Sequence, residues 1–156
     1  MLNKYKKDTI SAISTPLGEG AISIIRLSGS NSLEIINKIF SKDVKKFKTQ
    51  TAHLGKIFDK NKNVVDTVVL IVYLFPNSYT GENIVEIQCH GGRLITQKVY
   101  ETTLLAGARP SKPGEFTLRA FLNNKIDLAQ AEAIQELISA KNNHALNAAK
   151  NHLEGM

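Results

Sequence analysis

Three charged side chains stand where a charge is hard to keep. Arg26 lies near the end of the apolar run AISIIRL at 21–27. Glu86 lies within the alternating run IVEIQCH at 84–90, and Lys125 closes the polar turn Asn123-Asn124-Lys125. A charge on a mostly apolar surface is costly unless it is paired or bound to a ligand. A carboxylate there can accept hydrogen bonds from adjacent N–H groups, and cations there attract anionic groups. An internal ion-pair network tying the sheet to the segment 113–128 explains the same residues, and spacing alone leaves both readings open.

Other chemistries find less support. No G-x-x-x-x-G-K-[ST] loop is present, so this chain alone is not expected to hydrolyse nucleotides. Gly18-Glu19-Gly20 lacks the third glycine of a dinucleotide fingerprint and precedes a strand rather than a helix. His90-Gly91-Gly92 is similar to the oxyanion glycines of some esterases, but no G-x-S-x-G accompanies it. Cys89 and His90 are neighbours on a strand and point to opposite faces, so a nucleophile pair is not expected, and Cys89 reads as a buried structural thiol. His53, His90, His144 and His152 show no ligand spacing for a metal.

The elements that must position these residues follow from periodicity. Residues 9–14 and 21–27 read as strands separated by a Pro/Gly loop. Asn31 and Glu34 suggest a capping box opening a helix with Leu33, Ile36, Ile39 and Phe40 inward. Residues 53–58 and 64–75 flank a polar turn as a hairpin, and the second, almost wholly apolar, is expected to be central. Residues 84–90 alternate, with Val85, Ile87 and Cys89 on one face. Residues 93–106 read as a helix burying Leu94, Ile95, Val99, Thr102 and Leu105, stopped by Gly107. Beyond Pro113 the pattern is helical. Residues 116–122 form a short helix; Asp127, with Gln130, caps a second whose inward stripe is Leu128, Ala131, Ile134, Leu137 and Ile138; and Asn143 caps a third. The expected class is α+β, a mixed or largely antiparallel sheet packed with helices, followed by a helical tail. That tail is rich in alanine, which points to a fragment of a longer protein.

The chain has 156 residues, 42% of them apolar, enough for one domain with a real core. One cysteine excludes an intrachain disulfide. No apolar run reaches the about 18 residues of a membrane span, and no apolar stretch follows the charged N-terminus, so neither an anchor nor a signal peptide is expected. The net charge of +6 is almost all lysine. It fits a lysine-, asparagine- and isoleucine-rich composition with a solvated surface, or an RNA footprint.

The blocks Asp8-Thr9-Ile10-x-Ala12-x-x-Thr15-Pro16, Ile25-Arg26-x-Ser28-Gly29, Ser78-Tyr79-Thr80-Gly81-Glu82, Glu86-x-x-x-His90-Gly91-Gly92, the run from Pro113 to Asn123, and Lys125-x-Asp127-Leu128-x-Gln130-Ala131-Glu132-Ala133 stand in order. Together they resemble the N-terminal region of the MnmE/TrmE tRNA-modification GTPases across nearly the whole chain. Asn83 departs from the family's usual Asp. The resemblance implies a fold similar to folate-binding aminomethyltransferase-type domains. It divides the chain into a folate-binding and dimerisation domain at 1–141 and the start of a helical domain at 142–156. It implies a bound 5-formyl- or 5,10-methylene-tetrahydrofolate contacted by Arg26, Glu86 and Lys125, and a homodimer formed through this region. The full protein would be a cytoplasmic GTP hydrolase working with the flavoprotein MnmG on the wobble uridine of tRNA. GTP, magnesium and potassium would belong to a GTPase domain outside these residues. An RNA-binding module without folate and a stand-alone folate-dependent one-carbon transferase are the competing readings.

Overall fold

A computed structural model describes residues 8–155. Two compact units divide them. The first runs through Ser78 and resumes from Glu82 to Lys112; the second takes Tyr79–Gly81 and the residues from Pro113 onward.

The first unit holds a six-stranded sheet. Its strands are β1 (Ile10–Ile13), β2 (Ile22–Ser28), β3 (Thr51–Phe58), β4 (Val64–Tyr73), β5 (Ile84–His90) and β6 (Arg109–Pro110). They lie in the order β3-β4-β5-β2-β1-β6, every pairing antiparallel except β1 with β6. Helices α1 (Ser32–Asn37) and α2 (Arg93–Leu105) serve one face of the sheet. Alternation sends Ile25, Leu27, Val68, Leu70, Val72, Val85 and Ile87 into a core that also takes Ile35 and Ile36 of α1 and Val99 of α2. Each such aliphatic side chain stabilises the fold by about 1.5–3 kcal/mol on burial. β4 is internal as its composition suggests. Its odd-numbered face from Val65 to Tyr73 is nevertheless only partly buried, apart from exposed Thr67, and so the sheet is covered unequally.

Two local expectations fail for identifiable reasons. In α1 the Asn31 side chain makes no capping bond. The start of the helix is held by tertiary contacts instead: Asn31 N–H donates to Thr9 Oγ1 at 3.0 Å, and the Ser32 hydroxyl donates to the carbonyls of Gly29 at 3.0 Å and Asn83 at 2.9 Å. The helix also ends at Asn37, so Ile39 and Phe40 are buried outside it, Phe40 bridging to Ile57. In α2, Leu94 and Leu105 are 71% and 74% exposed, and the buried residues are Thr96, Val99, Thr102 and Thr103. Hydroxyl pairing sets this face. Thr96 Oγ1 donates to Ser23 Oγ at 2.9 Å, and Thr103 Oγ1 lies 2.8 Å from Ser11 Oγ. Buried hydroxyls that find partners are no longer a burden.

The second unit is helical: α3 (Glu115–Leu122), α4 (Leu128–Ser139) and α5 (Asn143–Leu153). The capping box of α4 forms as read, Asp127 accepting from Gln130 N–H at 2.7 Å and Gln130 from Asp127 N–H at 2.9 Å. The cap of α5 is Asn142, one residue before the expected Asn143. Only Ala133 of α4 is fully buried; Leu128 and Ile138 of its expected stripe are exposed.

Candidate functional site

Arg26 and Glu86 meet. The antiparallel register of β2 and β5 sets them directly opposite one another, on the sheet face away from the α1–α2 core. Arg26 Nη2 lies 3.4 Å from Glu86 Oε1, the side chains being 29% and 16% exposed. A charge-assisted hydrogen bond is shorter, about 2.7–2.9 Å. Among the described residues the Glu86 carboxylate accepts no hydrogen bond, so its acceptor capacity is open to a ligand. Tyr73 belongs to the same cluster. Burial raises its phenol pKa above the ordinary value; the Glu86 charge adds to the rise and Arg26 opposes it.

The Ser78-Tyr79-Thr80-Gly81-Glu82 block serves both units. In the first, Ser28 Oγ donates to Glu82 Oε1 at 2.8 Å, and Ser78 Oγ donates to the Glu82 carbonyl. Asn83 Oδ1 accepts from Phe75 N–H at 2.8 Å, a bond that an aspartate carboxylate at this position would accept equally well. In the second, Asn123 Nδ2 donates to the Thr80 carbonyl at 2.8 Å. Gly81, at φ 80°, leaves room for the Lys125 stem: a Cβ there would stand 3.2 Å from Lys125 Cγ. Lys125 is exposed and follows Asn124, whose φ is 59°. It lines an open groove with Phe121, Ile126 and Asp127. The segment that braces Lys125 was not legible in the sequence, because it lies more than forty residues away.

The remaining motifs resolve as structure. A Cβ on Gly91 would stand 2.3 Å from the Gly20 carbonyl oxygen. The Gly91 N–H donates to the Ala21 carbonyl at 3.1 Å and is therefore committed to the fold, not to an oxyanion. Cys89 is buried, and burial pushes its thiol pKa up to about 11, the Asp66 charge adding to the rise. His90 points away from it, with Nδ1 2.8 Å from Asp66 Oδ1. Among the described residues no group of three metal-ligating side chains stands together, and no helix is long and apolar enough to cross a membrane.

The described residues form an α+β domain that carries a guanidinium–carboxylate pair on the sheet face away from the α1–α2 core. Residues 9–125 match the family described as GTP-binding protein TrmE N-terminus, and the chain belongs to that family. It is 56% identical over 151 residues to the tRNA modification GTPase MnmE of Protochlamydia amoebophila (strain UWE25), covering 97% of this chain and 33% of that protein. It is 50% identical over 152 residues to the protein of the same name from Enterococcus faecalis (strain ATCC 700802 / V583), covering 95% and 33%. The chain spans about a third of the length of the curated relatives it matches.

Proposed function

We propose that this chain is the tetrahydrofolate-binding and homodimer-forming module of a tRNA-modification GTPase. The observation that carries the reading is the Arg26–Glu86 pair, a carboxylate with open acceptor capacity beside a cation on one sheet face. The ligand would be 5-formyl- or 5,10-methylene-tetrahydrofolate, which when bound supplies the one-carbon unit. Glu86 would accept the adjacent N–H groups of the pterin edge. Arg26 and Lys125 would attract the carboxylates of the glutamate tail or hold the one-carbon-bearing side. The division of the chain into a folate domain at 1–141 and a helical start at 142–156 belongs to this proposal. In the full protein, GTP hydrolysis with magnesium and potassium would reside in a separate domain. With the flavoprotein MnmG, the assembly would add an aminomethyl-type group at C5 of the wobble uridine in the cytoplasm. The relatives' shared name supports the tRNA and GTP parts of this reading.

Thermal unfolding with 5-formyltetrahydrofolate tests it. Ligand at a hundredfold excess over Kd should stabilise the chain by about 2.7 kcal/mol and raise Tm accordingly. Absence of any shift, together with salt-dependent tRNA binding, would favour the RNA-binding reading instead.

A further inference from the structure

We propose that the cavity framed by α1, α2 and the β3–β4 turn docks the phosphate backbone of RNA. Its volume is about 470 Å³, and Lys38, Lys60, Lys62 and Lys98 line it together with the apolar Ile39 and Val65 and the exposed Leu105. The four lysines come from three separate places: the C-cap of α1, the hairpin turn and α2. Among the described residues none of them forms an ion pair. Two acids, Asp59 and Glu101, share the rim and leave the lysines in excess by two; both accept hydrogen bonds from neutral groups of their own elements. Asp59 Oδ1 accepts from Asn61 N–H and Asn63 N–H, each at 2.9 Å, and Glu101 Oε1 accepts from Gln97 Nε2 at 3.1 Å. Asp59 thereby fixes the turn that carries Lys60 and Lys62. Lys38 Nζ reaches the Ala106 carbonyl at the end of α2, 3.4 Å away, which holds its charge at the cavity mouth.

The surface continues beyond the cavity. Residues 38–62 contain eight lysines against two aspartates, an excess equal to the +6 of the whole chain. A second hollow of about 300 Å³ shares Lys38 and adds Lys45, beside Glu34 and Asn37. Dispersed ammonium groups suit a chain of phosphates, which they neutralise as point charges, better than one planar anion, for which arginine is preferred. That the polyanion is tRNA rests on the tRNA part of the function proposed above.

The test is a fluorescence titration of labelled tRNA with this chain across about 50–200 mM salt. Lys60→Gln/Lys98→Gln should weaken binding tenfold or more at the low end and reduce the slope of log K against log salt by about 2, one per lysine. Lys141→Gln/Lys150→Gln, which removes the same charge from the second unit, should change affinity less than twofold. Lys60→Arg/Lys98→Arg should restore binding, showing that charge rather than folding was lost. Equal losses in both glutamine variants, no loss in either, or no tRNA binding by the unaltered chain would overturn the proposal. Folate-induced thermal shifts on the same proteins report separately on the folate site, so failure of one reading is distinguishable from failure of the other.

Discussion

Arg26 is a costly residue for the middle of a sheet, and the carboxylate paired opposite it offsets part of that cost. That both positions carry charge was legible from the alternation of their strands. That they meet was not, because they stand sixty positions apart and no local pattern encodes the register between β2 and β5. Lys125 was legible as a cation in a turn, while the glycine that admits its stem was not. Cys89 was legible in full: strand alternation alone assigns it to the core, and burial then raises its pKa to about 11. The native thiol should therefore resist iodoacetamide at pH 8 while the unfolded chain reacts readily; comparable rates would contradict its burial. The raised value also has a stability consequence with a definite sign. Between about pH 9 and 11 the unfolded thiol ionises before the native one, so this group's contribution to stability falls as pH rises through that window.

Among the elements, α4 and α2 mark the two extremes of legibility. The α4 capping box joins residues three apart, so the sequence carries the whole interaction. The buried face of α2 depends on hydroxyls of β1 and β2 that the helix sequence cannot report, and hydropathy favoured Leu94 and Leu105 over threonines. Thr103 Oγ1 donates to the Tyr100 carbonyl at 2.6 Å, which leaves Ser11 as the donor in the pair between them. Thr103→Val should thus strand the Ser11 hydroxyl and cost about 1–3 kcal/mol. Ser11→Ala/Thr103→Val, with both partners gone, should cost less than the sum of the single changes. A denaturant double-mutant cycle measures the difference; strict additivity would show that the pair does not couple α2 to β1.

For the molecule as a whole, the fold class was legible because mixed strands and helices give way to helix alone: among the described residues every strand precedes Pro113, and those after it form helices joined by short turns. The sheet presents two unlike faces. One is sealed by α1 and α2 into an apolar core; the other carries Arg26, Glu86 and Tyr73. This asymmetry leaves polar residues on a sheet face without opening the core, and tetrahydrofolate is the ligand we propose for that face. Calorimetric titration of 5-formyltetrahydrofolate into the unaltered chain and into Glu86→Gln tests that claim most directly. Loss of one charged acceptor should weaken binding by about 1.5–3 kcal/mol, roughly ten- to a hundredfold in Kd. Equal affinity in the two proteins would contradict the assignment of Glu86, and with it the sheet-face site.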